Sequence, residues 1–139
     1  MFNKMEITMN EPQDVLSQIR AQRKVTIITN AVKFSTGAIV ATPPALALLQ
    51  RTGYSAAALI TRHVHGDWGD CFGEDAQLNE AALIDGSRVF SVYRLCDAQW
   101  LKETPLSKRS NLPTIWIITN ATNEAGVRDV TTVLTPRCY

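Results

Sequence analysis

Three strand-like runs follow one another toward the C-terminus: Arg88 to Leu95, Thr114 to Thr119 and Val130 to Leu134. In the first, Val89, Ser91 and Tyr93 alternate with Phe90, Val92 and Arg94, the period of a strand whose two faces meet different surroundings. No stretch of helical periodicity separates the three runs. Connections without a helical segment favour neighbours that pair in opposite directions, so residues 88–134 read as an antiparallel meander. Whatever precedes this sheet must cover it.

The preceding residues supply the cover. Thr42-Pro43-Pro44 starts a helix, with a capping hydroxyl followed by proline in the first turn. Ala45, Leu46, Leu48 and Leu49 carry that helix to Gly53. Ser55 caps a second helix over Ala56 to Val64, which ends before Gly66. A third starts at Glu74 or Asp75, places Leu78, Ala81 and Ala82 on one face, and stops at Asp85-Gly86. A short strand, Ala38 to Ala41, comes before the first helix. Further upstream, Pro12 begins a helical stripe of Val15, Leu16 and Ile19, and Val25 to Thr29 reads as a strand. The expectation is an α+β fold. It has a three- to four-stranded antiparallel sheet with helices packed on one face, and residues 1–34 extend a domain of residues 35–139. Asp97 to Pro113 reads as a long polar connection.

At 139 residues the chain suits one domain with a real core, and its net charge of +1 gives no global case for nucleic acid or a membrane surface. The charge is nevertheless uneven. Asp67, Asp70, Glu74, Asp75, Glu80 and Asp85 fall between Gly66 and Asp85, where there is no Lys or Arg. Cys71, Cys96 and Cys138 are odd in number and far apart, which fits reduced thiols in a cytoplasm rather than a disulfide framework or zinc site. No apolar run reaches the ~20 residues that span a bilayer, and Met1 to Asp14 lacks the pattern of a signal peptide.

The chemically dense stretch is His63-Val64-His65-Gly66-Asp67-Trp68-Gly69-Asp70. In a strand, His63, His65 and Asp67 would point one way, as metal ligands do, and the spacing has the H-x-H-x-D form of binuclear zinc hydrolases. That form continues into a further histidine, where this chain has Trp68. The preceding residues are helical, and on a helix His63 and Asp67 share a face while His65 points elsewhere. A helix-ending turn suits the residues better. Gly66 and Gly69 permit the backbone, Asp67 and Asp70 accept turn amides, and Trp68 anchors the turn by burial. The same turn is a candidate binding surface, with Trp68, Asp67, Asp70 and His63 as its contact residues. Cys71 lies near the histidines, but its acidic neighbours raise a thiol pKa rather than lower it. Gly66 to Gly69 lacks the spacing and the lysine of a phosphate loop. Lys102, Lys108 and Arg109, with Trp100, form a weak basic patch for nucleic acid.

A wider set of residues carries a resemblance. Gly37-Ala38-Ile39-Val40-Ala41-Thr42-Pro43 is followed by the Ala/Leu helix, Arg62-His63 and Gly66-Asp67-Trp68-Gly69-Asp70. Asn79-Glu80, Arg88 and Ser91-Val92-Tyr93 come next, and then Trp116-Ile117-Ile118-Thr119, Arg128, Thr131-Thr132 and Pro136 to Tyr139. Over residues 35–139 this combination resembles a family of small bacterial "plasmid-related" proteins carried on plasmids and integrative elements. The resemblance implies a genetic context rather than a chemistry, and it adds Arg128 to the candidate binding residues. Most members of that family carry an acid where this chain has Asn120.

Together these readings lead to a small non-enzymatic binding protein of a mobile genetic element. It would need no cofactor or metal and would not associate with a membrane. Its partner would be a host or element-encoded protein, for instance in restriction or CRISPR defence. Two alternatives stand beside it: a metal-assisted hydrolase or nuclease using His63, Asp67 and Asp70, and a regulatory nucleic-acid-binding protein.

Overall fold

The alternation in the C-terminal runs sets the architecture. A computed structural model describes residues 31–139, of which Val32–Tyr139 forms one compact unit. The helix expected from Pro12 and the strand expected at Val25 to Thr29 lie outside the described residues. Strand β1 (Ala38–Ala41) leads into helices α1 (Pro43–Thr52), α2 (Ala56–Val64) and α3 (Gly73–Asp85). Strand β2 (Val89–Arg94), a short helix α4 (Ala98–Glu103) and a 3-10 turn (Leu106–Asn111) follow. Strands β3 (Thr114–Thr119) and β4 (Val130–Leu134) and a final 3-10 turn (Pro136–Cys138) complete the chain.

The starts of α1 and α2 are those the sequence specifies, whereas α3 begins at Gly73, ahead of the Glu74 or Asp75 expected, with no side-chain cap. The Thr42 hydroxyl accepts from the Ala45 amide at 3.3 Å and the Ser55 hydroxyl from Ala58 at 3.2 Å, satisfying amides that have no intrahelical partner. The Asp97–Pro113 connection is more ordered than its polar composition suggests. Asp97 accepts from the Trp100 amide at 2.7 Å and so starts α4.

The four strands form one sheet in the order β1-β4-β3-β2. The meander is antiparallel, with Ser91 opposite Ile117 and Ile117 opposite Val133. β1, however, joins β4 in parallel, Ala38 opposite Val130 and Ala41 opposite Val133, so the sheet is mixed and not purely antiparallel. Three helices separate β1 from the meander. A crossover of that length lets the chain return in the same direction, which a tight hairpin could not do.

Register then sorts the residues. Ala45 and Leu49 of α1 and Leu59 of α2 pack on Tyr93, Ile115, Ile117 and Val133, which share one face of the sheet. On the other face, Trp116 meets Phe90 and Tyr139 edge-on, with ring centres at 5.0 and 5.6 Å.

α3 is turned differently from its sequence pattern. Asn79 and Ala82 are buried, whereas Leu78 and Ile84 are exposed and Ala81 faces out beside them. The sequence grouped Leu78 and Ala81 with Ala82. The reason for the rotation is the edge of β2. Phe90 donates its amide to Asn79 Oδ1 at 2.9 Å, and Asn79 Nδ2 donates to the Phe90 carbonyl at 2.7 Å. Two satisfied backbone groups outweigh the burial of one leucine.

Candidate functional site

The stretch from His63 to Asp70 is the join between α2 and the sheet. α2 ends at Val64, and the chain turns through His65 and Gly66 and runs parallel to β2. Val92 donates its amide to the Trp68 carbonyl at 3.1 Å, and Asp70 donates its amide to the Val92 carbonyl at 2.6 Å. This segment and Asn79 together close the outer edge of β2, whose backbone groups would otherwise offer a pairing surface. Gly69 makes the approach possible. Its φ is +70°, and a Cβ there would collide with the Val92 carbonyl.

Trp68 is 7% exposed and packs with Ala82, Val89 and Phe34. Its ring lies 6.2 Å from Phe34 in a stacked arrangement, and its Nε1 donates to Glu80 at 2.7 Å. The indole is therefore an internal anchor rather than an exposed contact. Asp67 is the outward residue of the turn. Its carboxylate accepts from Arg62 Nε at 2.7 Å and from the Gly69 amide at 3.0 Å. Partial burial works against this charge, but the Arg62 hydrogen bond, the Gly69 amide and the charge of Arg62 outweigh it, holding the carboxyl below the ordinary range. The Tyr93 hydroxyl donates to the Asp67 carbonyl at 2.6 Å, and the Arg62 guanidinium lies 4.7 Å from the Tyr93 ring centre.

Asp70 turns inward between two arginines. Arg94 Nε lies 2.8 Å and Arg109 Nη1 2.7 Å from its two oxygens, and its side chain is 4% exposed. Arg109 comes from the 3-10 turn after α4, so this ion triad ties that connection to the β2 edge. Arg109 is thereby ion-paired and its side chain 14% exposed, so the basic patch expected there keeps only Lys102 and Lys108 as exposed charges.

His63 is fully buried, and its hydrogen bonds fix its form. The Thr131 hydroxyl donates to the Thr36 carbonyl at 2.8 Å, so it accepts from Thr119 at 2.6 Å. Thr119 in turn accepts from His63 Nε2 at 2.9 Å, which leaves Nδ1 to accept from Ser91 at 2.6 Å. That order of donors puts a proton on Nε2, and in the neutral imidazole that burial favours, Nδ1 is the acceptor. Burial, with the charge of Arg128 adding to it, lowers the His63 pKa to about 4. Ser91, Thr119 and Thr131 are as buried as His63, so the Ser–His contact is a core hydrogen bond with no approach for a substrate.

Arg128 is buried too, and it closes three carbonyls: Ser87 at 2.7 Å, Asn120 at 3.0 Å and Ala82 at 2.9 Å. Its charge sits at the C-terminal end of α3, where a cation is favoured. The contact uses the Asn120 backbone, so the asparagine in place of an acid leaves it intact.

The five candidate residues thus surround one joint without converging on a ligand. Among the described residues no group of three or more His, Cys, Asp or Glu side chains is placed to hold a metal ion. The set of His63, Asp67 and Asp70 is split between a core hydroxyl network and three guanidiniums, Arg62 on Asp67 and Arg94 with Arg109 on Asp70. The Cys71 thiol donates to the Phe90 carbonyl at 3.6 Å and not to His63, and burial pushes its pKa up to about 11. Sequence reasoning missed Asn79, Arg94 and the inward hydroxyls of Ser91, Thr119 and Thr131. The available signal was polar side chains at inward strand positions, each of which needs a buried partner.

No known protein family, curated protein or solved structure matches this chain. Among the described residues no helix is long and apolar enough to cross a membrane.

Proposed function

We propose that this chain is a small non-enzymatic protein that binds another protein through the outer side of α3. The observation that carries this reading is the placement of Leu78 and Ile84, which are 61% and 90% exposed on a helix that turns its asparagine inward. With Ala81 between them at spacings of three residues, they run along the outward side, accompanied by the exposed acids Glu74 and Asp85. Apolar side chains framed by charge are what an interface core and rim require. The acids favour a partner with a basic surface.

The sequence resemblance supports the setting: a plasmid or integrative element, with a host or element-encoded partner in the cytoplasm, for instance a component of restriction or CRISPR defence. The metal-hydrolase reading loses support because both aspartates are neutralised by arginine. The nucleic-acid reading loses it because Arg109 is committed to Asp70.

Affinity capture from cells carrying the element tests the proposal, with the native chain beside a Leu78→Glu/Ile84→Glu variant of matched circular dichroism. The native chain should retain a partner through stringent washing and the variant should lose it. Equal capture by both, or none by the native chain, would remove the reading.

A further inference from the structure

Arg51, in the last turn of α1, and Arg137, in the final 3-10 turn, line one cavity of about 660 Å³. Among the described residues, every other arginine has a partner: Arg62 on Asp67, Arg94 and Arg109 on Asp70, Arg88 on the Tyr139 hydroxyl and Arg128 on three carbonyls. Arg51 and Arg137 have none among those residues, and no acidic side chain lines the cavity. Leu48 and Pro113 give it apolar wall, and Ser110 and Asn111 add polar groups.

We infer that this cavity is a binding site for a small organic phosphate, with Arg51 and Arg137 holding the phosphate and Leu48 and Pro113 covering the organic part. The volume falls in the range of small-molecule sites, and a concave surface of one sign concentrates the field on an incoming anion. Guanidinium forks match phosphate oxygens in pairs, and two forks from separate elements suit a doubly charged group better than a single carboxylate. Three chain segments meet here (α1, the turn before β3 and the C-terminal turn), so the site is built by the fold rather than by one loop. It does not depend on the role proposed for α3.

The test is an amide-shift titration of the full chain by NMR with phenyl phosphate, with benzoate and inorganic phosphate as separate arms. Phenyl phosphate should bind saturably at low salt with a dissociation constant at or below about 1 mM. The shifts should fall on residues 48–51, 110–114 and 135–137. Benzoate and inorganic phosphate should each bind more weakly, since one lacks the dianion and the other the apolar part. Arg51→Gln and Arg137→Gln should each weaken phenyl phosphate by about tenfold while the remaining spectrum is unchanged. No saturable shift, shifts centred elsewhere, benzoate binding as tightly, or unchanged binding in the double variant would each overturn the assignment.

Discussion

Asn79 satisfies both backbone groups of Phe90 with one side chain, accepting from its amide at 2.9 Å and donating to its carbonyl at 2.7 Å. A helix residue thereby acts as the missing neighbour strand at that point of β2. Asn79→Ala should leave the Phe90 amide without a partner and its carbonyl with only the Cys71 thiol at 3.6 Å, and cost about 2–4 kcal/mol, measured by urea unfolding. Asn79→Asp keeps the acceptor and loses the donor, so it places a carboxylate against the Phe90 carbonyl. It should recover little or none of the loss. A fully stable alanine variant would show that the β2 edge does not need closing.

Asp70 makes a second prediction. Its two arginines are bonded to it from β2 and from the turn after α4, and all three side chains are largely buried. Asp70→Asn leaves two guanidiniums facing each other without a counter-charge and should destabilise the fold by about 3–5 kcal/mol. Adding Arg109→Met to Asp70→Asn should restore part of that loss, because it removes one of the stranded charges. If the two substitutions simply add, the triad is not an energetic unit.

His63 sets the pH dependence. Its pKa is about 4 in the folded chain against an ordinary 6.5, so between those values the unfolded chain takes up a proton that the folded chain refuses. Stability is complete above pH 6.5 and falls with pH across that window, by about 3 kcal/mol at its lower end. Asp67 titrates below the ordinary carboxylate range, so its contribution is lost at lower pH than most of this change. His63→Gln should flatten the profile of unfolding free energy between pH 6.5 and 4. An equal slope in native and variant would assign the dependence to other groups.

Local signals in the sequence were enough to place much of this fold. The strands at Val89, Thr114 and Val130, the Thr42 and Ser55 caps and the turn around Trp68 all follow from period, capping chemistry and glycine placement. What those signals do not carry is partner choice across the chain. β1 joins β4 across a separation of 92 residues at Ala38 and Val130, and neither strand holds a mark of parallel pairing. Asp70 finds Arg94 and Arg109 at separations of 24 and 39 residues. The rotation of α3 is of the same kind. Its apolar residues alone favour Leu78 and Ala81 inward, and only the unpaired backbone of β2 explains why Asn79 takes that place. The crowding of histidine and aspartate that marked residues 63–70 as chemistry is a dense set of structural bonds.

The outward side of α3 is the point on which the functional account rests. The measurement that tests it most directly is site-specific photo-crosslinking in cells that express the chain, with a benzophenone amino acid at Ile84 and, as control, at the exposed Gln50 of α1. The account predicts one discrete protein adduct from position 84, absent from position 50 and lost when Leu78→Glu is added. No adduct at 84, or the same adduct from both positions, would contradict it.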